Sequence, residues 1–95
     1  INFGEVLRDV ASHFAYSSQG TRLSFEPSDV DVLAEVPDLE RITTNLIENA
    51  LKYSPEGQPV LVSITTDGQF ARLRVTDHGR GVPRHERERI FERYY

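Results

Sequence analysis

The chain has 95 residues, which fits one domain, and it contains no cysteine, so neither a disulfide nor a cysteine-ligated zinc site can stabilise it. Its formal net charge of -4 argues against general nucleic-acid binding, which requires a basic face that neutralises phosphates. No apolar run approaches the roughly 20 residues that cross a bilayer, and no secretory signal pattern opens the chain. We therefore expect a soluble intracellular domain with a packed core.

The charge is unevenly distributed along the chain. Residues 80–95 carry five arginines and three glutamates, so this end is basic while the rest is acidic. Such a segment could contact a small polyanion, or it could be a solvated helix with alternating charges. The charge pattern alone leaves both interpretations open.

The first half of the chain predicts two helices and two strands. Apolar residues at helical spacing in "NFGEVLRDVASHFAY" predict a first helix, with Asn2 as its N-cap. Alternation in "RLSFE" and, after a "PSD" turn, in "VDVLAEV" predicts two strands at 22–26 and 30–36. Pro37 is typical of a helix start, and the second helix should run through Tyr53 to "SPEG".

The second half begins with a hairpin signal. Residues 59–66 and 70–77 flank a "DGQ" turn and predict two antiparallel strands. A glycine loop, "HGRGVP", follows, and "RHERERIFERYY" (84–95) resumes a helical period. The predicted order is α-β-β-α-β-β-loop-α. Paired strands set against helices favour an α/β two-layer sandwich with a mixed, mostly antiparallel sheet.

The second helix carries an unusual polar row in "NLIENALKY". At about 100° per residue, Asn49 falls beside the predicted apolar face and should lie along its buried edge. Asn45 lies one turn earlier, and Lys52 and Tyr53 follow. An ordinary structural role is also open, in which Asn49 caps a backbone group and Lys52 packs only its aliphatic stem.

A second unusual feature is the end of the second hairpin strand. Its predicted inward row runs at period two from Ala71 to Val75, and the next member of that row is Asp77. A carboxylate there is costly unless it meets hydrogen-bond donors. Gly79 and Gly81 follow at once and would let the backbone approach a ligand closely.

A bound nucleotide would explain both features. Asp77 would accept from an exocyclic amino group, which favours adenine. Asn49 would offer Mg²⁺ an uncharged oxygen ligand, and Lys52 would face phosphate as a point charge. Tyr53 could stack on the base.

Three motifs resemble those of one known family. "NLIENALKYSP" (45–55), "DHGRGVP" (77–83) and "IFERYY" (90–95) resemble the N, G1 and F boxes of sensor histidine kinases. The ATP-binding fold of that family is shared with gyrase, Hsp90 and MutL. The resemblance covers residues 1–95 and implies a Bergerat-type ATP-binding fold. It also implies that the C-terminal part, from the second glycine box onward, is missing.

The resemblance implies roles for the helix residues by position. Asn49 would coordinate Mg²⁺ and Asn45 would support the metal and the phosphates of ATP. Lys52 would contact phosphate, and Tyr53 would contact adenine. Glu48 stands at a variable N-box position where a general base is also conceivable, so Asn45 and Glu48 are the catalytic candidates.

The other two boxes imply the rest of the pocket. Asp77 would take the adenine amino group, directly and through water, while Gly79 and Gly81 would shape the base pocket. Phe91 and Tyr94 would border the mobile lid, with a packing and positioning role. The cofactors implied are ATP and Mg²⁺.

The implied function is that of the ATP-binding catalytic domain of a two-component sensor histidine kinase. It would present Mg-ATP to a histidine on a separate dimerisation domain, and a response regulator would then accept the phosphoryl group. The family's phosphoacceptor helix, with its H-E or H-D motif, would precede residue 1. Glu86 does follow His85, but this histidine lies in a charged run after the glycine loop, so the fragment alone is expected to be inactive. The domain would be cytoplasmic, in a membrane-anchored parent protein.

Two other functions compete with this one. The first is another ATPase or a serine kinase of the same fold, although such ATPases usually have a catalytic glutamate where Asn45 stands. The second is an ATP-independent interaction fragment. An exposed sheet edge would invite pairing with another chain and could produce a dimer.

Overall fold

The computed structural model describes residues 1–15, 22–54, 57–78 and 84–94. Within these ranges the chain forms two helices and four strands. In chain order they are α1 (Phe3–Phe14), β1 (Leu23–Glu26), α2 (Val36–Tyr53), β2 (Val60–Asp67), β3 (Phe70–His78) and β4 (Arg84–Glu92).

The four strands form one mixed sheet in the order β1-β2-β3-β4. Strands β1 and β2 are parallel and are connected through α2, whereas β2–β3 and β3–β4 are antiparallel. The β2–β3 hairpin closes at the predicted turn, where Gly68 takes a φ of 58°, a conformation that glycine adopts at little cost. The predicted two-layer sandwich with a mostly antiparallel sheet is confirmed.

Local sequence signals account for both helices. The side chain of Asn2 accepts a hydrogen bond from the backbone N–H of Glu5 at 3.1 Å, which confirms the predicted N-cap of α1. Pro37 lies at the first turn of α2, where its missing N–H costs nothing. Both helices bury one stripe against the sheet, and the core joins them to β2 and β3. Its buried apolar residues are Phe3, Val6, Leu7, Val10, Val30, Val32, Leu39, Ile47, Ala50, Val60, Val62, Ile64, Ala71, Leu73 and Val75.

The predicted strand at 30–36 is wrong. Only Asp31 and Val32 form β-bridges, and these are isolated, to Asn2 and Arg93 respectively. The backbone here bonds to two different segments, since Val32 N–H donates to the Ile1 carbonyl and Leu33 N–H to the Glu92 carbonyl. No single neighbour runs alongside for long enough to make a ladder.

The predicted helix at 84–95 is also wrong, because this segment forms β4. Its alternating charges fit a strand better than a helix. On the outer face of the sheet, Glu88 lies 3.0 Å from Arg72, and Glu86 lies 3.8 Å from Arg74. These partners are distant in sequence, so the pairing with β3 could not be seen in the local pattern.

Strands β1 and β4 are the two edges of the described sheet. The chain-to-chain pairing expected at an exposed edge stays a prediction. Among the described residues, no helix has the length and apolarity needed to cross a membrane.

Candidate functional site

The polar residues of "NLIENALKY" lie on one exposed strip of α2. Asn45, Asn49, Lys52 and Tyr53 are all exposed, Tyr53 at 67%. Their spacings of three and four residues make them neighbours on the helix surface. The structure therefore brings together four of the five helix residues assigned to the site, the fifth being Glu48.

The expectation that Asn49 lies along the buried edge is wrong. The buried face of α2 consists of Leu39, Thr43, Ile47 and Ala50. At about 100° per residue, Asn49 is turned about 120° from Thr43. The sheet and α1 cover a different stripe of this helix from the one predicted, which leaves the asparagine amides accessible to a ligand.

Lys52, within this strip, and Glu48, beside it, have different neighbours. The Lys52 ammonium lies 5.3 Å from the centroid of the Tyr53 ring, a cation–π distance. Glu48 is exposed and lines a shallow cleft with His13, Phe14 and Thr44, on the side of α2 that faces α1.

The end of α2 is held by an arginine from outside the helix. Arg22 Nη2 donates to the Ser54 Oγ at 3.0 Å, and its Nε donates to the Gln58 carbonyl at 2.9 Å. Ser54 is the C-cap of α2 and follows Tyr53 directly. Arg22 therefore fixes the helix end that carries Lys52 and Tyr53.

Asp77 lies where the sequence pattern predicted, at the end of the inward row of β3. Ala71, Leu73 and Val75 are fully buried, and Asp77 is only 3% exposed. The donor that its carboxylate needs is Arg87 on β4, whose Nη1 lies 2.5 Å from Asp77 Oδ2. Arg87 was not assigned to the site from sequence. The pattern that could have indicated it is the period-two row of Arg87, Arg89 and Phe91. This row shares one face only if the segment is a strand.

Four other residues were predicted for the site. Gly79 and Gly81 lie outside the described residues, and Phe91 and Tyr94 lie away from Asp77. Phe91 pairs with Ala71, six residues from Asp77 along β3, or about 20 Å at strand rise. It contacts Phe3 of α1. Tyr94 is 62% exposed and lines an open cleft with Ile1, Leu33 and Glu35, among others.

The donor set limits the metal chemistry that the site can support. Within the described ranges, no group of three or more His, Cys, Asp or Glu side chains could hold a metal ion. Asn45 and Asn49 offer neutral amide oxygens one helical turn apart. Such a pair suits Mg²⁺, a hard cation that retains several waters and takes further oxygens from phosphates.

The sequence of the chain is similar to that of one known family and to sensor proteins of bacteria. Residues 34–95 match the family model described as histidine kinase-, DNA gyrase B-, and HSP90-like ATPase. The chain is 38% identical over 73 residues to the sensor protein CreC of Escherichia coli K12. The aligned region covers 77% of this chain and 15% of CreC. It is 34% identical over 97 residues to the sensor protein kinase PmrB of Pseudomonas aeruginosa PAO1, covering 100% of the chain and 20% of that protein.

Solved structures agree with the sequence relatives. The mycobacterial sensor histidine kinase MprB superposes with a TM-score of 0.66 at 28% identity, over 87% of this chain and 55% of that one. The chain spans only 15% of CreC and 20% of PmrB, a small part of the length of each relative. It belongs to the histidine kinase-, DNA gyrase B- and HSP90-like ATPase family, as a homologue of the catalytic part of sensor histidine kinases.

Proposed function

We propose that the chain is the ATP-binding catalytic domain of a two-component sensor histidine kinase. The observation that carries this function is the exposed strip of α2, where Asn45, Asn49 and Lys52 stand together in the family's N-box position. Two amide oxygens and an ammonium on one accessible surface match a magnesium-bound polyphosphate. An exposed polar strip is ordinary on an amphipathic helix, so the support comes from these residue types at the positions of the N-box motif that the sequence resembles.

Each residue of the pocket then has a defined task. Asn49, supported by Asn45, would hold Mg²⁺, and the ion would supply charge neutralisation at the phosphates. Lys52 would contact phosphate, and Tyr53 would border the base. Asp77 would accept a hydrogen bond from the amino group of adenine, because its buried carboxylate is an acceptor only.

The protein's contribution to phosphoryl transfer would be positioning and charge stabilisation. Phosphoryl transfer requires little covalent chemistry from the protein, so the task of α2 and β3 would be to hold the nucleotide with its terminal phosphate exposed. The acceptor would be a histidine on a separate dimerisation domain, and a response regulator would take the phosphoryl group from it. The domain would lie on the cytoplasmic side of a membrane-anchored parent protein.

Nucleotide titration tests this function. A non-hydrolysable ATP analogue with Mg²⁺ would be titrated calorimetrically into the chain and into the variants Asn49→Ala and Asp77→Asn. Alanine is the best helix former and Asn49 is exposed, so the first variant should keep its fold. We expect Asn49→Ala to weaken magnesium-dependent binding by about tenfold or more, which corresponds to about 1.4 kcal/mol. Asp77→Asn should weaken the binding of adenosine as well.

The matched control is Arg41→Gln, an exposed substitution near the start of the same helix. It should leave the affinity for the analogue unchanged. Binding that is indifferent to both Asn49→Ala and Asp77→Asn would refute the nucleotide site. Transfer from ATP to a histidine-bearing helical domain, detected as an acid-labile phosphate, would separate a histidine kinase from a serine kinase.

A further inference from the structure

One oxygen of the carboxylate proposed to bind adenine already accepts a hydrogen bond from a side chain of the same protein. Asp77 Oδ2 accepts a hydrogen bond from Arg87 Nη1 at 2.5 Å. The Asp77 side chain is 4% exposed and that of Arg87 is 17% exposed, so this is the most buried ion pair among the described residues. We infer that Arg87 sets the nucleotide affinity of the domain by competing with the adenine base for Asp77. This competition rests on the proposed nucleotide function.

The register between β3 and β4 places Arg87 where it can reach Asp77. Arg87 stands opposite Val75, and Asp77 stands opposite His85, so Asp77 and Arg87 are diagonal neighbours. Residues opposite each other point to the same face, and a diagonal separation of about 7–8 Å lies within reach of a long side chain. Arg87 therefore extends along the inner face of the sheet to the end of the buried row.

Contacts on both faces of β4 maintain this register. On the outer face, Glu88 lies 3.0 Å from Arg72 and 3.5 Å from Arg74. On the inner face, Phe91 packs against Phe3. A slip of one residue would turn Arg87 outward and expose Phe91, so the wider pairing of β4 supports the contact between Arg87 and Asp77.

The chemistry of the two donors favours Arg87 over adenine. A guanidinium carries a full positive charge and forms an ion pair with the Asp77 carboxylate, whereas an adenine amino group is a neutral donor, so that only the acceptor of its bond is charged. A buried carboxylate also loses more when its donor is neutral, because its charge is then uncompensated. Because the Asp77 side chain is only 4% exposed, the base must displace Arg87 to reach it. The affinity with Arg87 on Asp77 is therefore lower than that of a form without Arg87.

Arg89 provides a matched control on the same strand. It lies two residues farther along, opposite the buried Leu73, and is exposed, with no ion pair found for it among the described residues. Arg87→Gln and Arg89→Gln each remove one positive charge from the inner row of β4. Glutamine at position 87 keeps a neutral amide donor on the inner row, so the substitution removes the charge without removing all polarity.

The experiment is a calorimetric titration of adenosine, and separately of a non-hydrolysable ATP analogue with Mg²⁺, into the full chain and both variants. We expect Arg87→Gln to bind each ligand about tenfold more tightly than the unaltered chain, and Arg89→Gln to bind within twofold. Loss of a positive charge on its own weakens attraction for the triphosphate. A gain in affinity therefore has the opposite sign to the electrostatic effect of the substitution.

A second measurement uses the unaltered protein. The Nε–H signals of the arginines would be followed by NMR while adenosine is added. The signal of Arg87 should shift as Asp77 changes partner, and that of Arg89 should not. This measurement stands even if Arg87→Gln fails to fold.

The outcomes separate this competition from the proposed function. Equal or weaker binding by Arg87→Gln, or an Arg87 signal that is unchanged at saturating adenosine, overturns the role of Arg87. The nucleotide site still stands in that case if Asp77→Asn reduces binding. Absence of binding by the unaltered chain and by Arg87→Gln, with both proteins folded, refutes the nucleotide site and the competition together.

Discussion

The ring of Phe91 on β4 stands edge-on to the ring of Phe3 on α1, with centroids 5.2 Å apart and planes at 87°. Phe3 is fully buried and Phe91 is half-buried, so this contact joins the first helix of the chain to its last strand. It gives Phe91 a packing role at a point distant from Asp77.

This relationship predicts that Phe91→Leu affects stability and leaves nucleotide binding intact. Loss of the edge-to-face contact and of part of the buried ring should lower the free energy of unfolding by about 1–2 kcal/mol. The measurement is urea denaturation followed by circular dichroism. Phe70→Leu is the control, since Phe70 is 44% exposed and should lose less than about 0.5 kcal/mol. A loss of nucleotide affinity without loss of stability would instead place Phe91 in the pocket.

Gly4 in the first turn of α1 should not tolerate alanine. A Cβ at this position would lie 2.7 Å from Asp29 Oδ1 and 2.8 Å from the Ser28 carbonyl oxygen. Arg8 holds the Asp29 carboxylate by a 2.9 Å hydrogen bond, and this bond and the charge of Arg8 lower the pKa of Asp29. The clash with backbone must therefore shift the helix start, and we expect Gly4→Ala to cost about 1–3 kcal/mol.

The sign of that change is the test, since glycine to alanine within a helix ordinarily stabilises by about 1 kcal/mol. Thermal unfolding of Gly4→Ala beside the unaltered chain measures it. An increase in Tm would show that the loop at Ser28 moves aside without cost.

Arg22 should stabilise the end of α2 more than its position outside the helix suggests. Arg22→Met removes the donors to the Ser54 Oγ and the Gln58 carbonyl. Because Ser54 is buried, its hydroxyl loses a partner that water cannot readily replace. We expect a loss of about 1–2 kcal/mol in the free energy of unfolding, measured by urea denaturation.

Arg41→Met is the matched control for Arg22→Met. Among the residues that the structure describes, Arg41 makes only an exposed 3.4 Å contact with Asp38 three residues earlier, which should contribute at most about 0.5 kcal/mol. Equal effects of the two substitutions would show that Arg22 does not clamp the helix end.

Thr43 carries a buried hydroxyl without a hydrogen-bond partner among the described residues. Thr43→Val keeps the shape of the side chain and removes that polar atom from the core. We expect the free energy of unfolding to rise by about 1 kcal/mol. Thr44→Val, at the adjoining half-buried position, should change it by less than about 0.5 kcal/mol. Destabilisation by Thr43→Val would indicate that ordered water satisfies the hydroxyl.

Substitution of Lys52 should weaken the binding of a nucleotide with phosphates but not that of adenosine. If its ammonium faces the phosphates, Lys52→Gln weakens the binding of an ATP analogue by about fivefold to tenfold and leaves adenosine binding unchanged. Titrations of both ligands at low and at high salt measure this difference, which salt should reduce. Arg41→Gln, which removes the same charge from α2, controls for general electrostatic attraction. An equal loss for adenosine would mean that Lys52 acts through the Tyr53 ring.

Much of the fold could be predicted from the sequence because it depends on local signals. The cap at Asn2, the proline at the start of α2 and the glycine turn of the hairpin each act within a few residues. The alternation that ends in Asp77 predicted a buried carboxylate correctly, since side chains alternate strictly between the two faces of a strand. The three boxes identified the family for the same reason, because they are contiguous stretches of chain.

The tertiary structure decided what depends on partners distant in sequence. The segment 84–92 becomes a strand because its backbone pairs with β3 along its whole length, and the glutamates then face Arg72 and Arg74. The segment 30–36 fails to become one because its backbone partners are two short, separate segments. The exposure of Asn49 follows from which stripe of α2 the core covers. The pairing of Asp77 with Arg87 follows from strand register. In each case the deciding contact is long-range, so no local pattern could encode it.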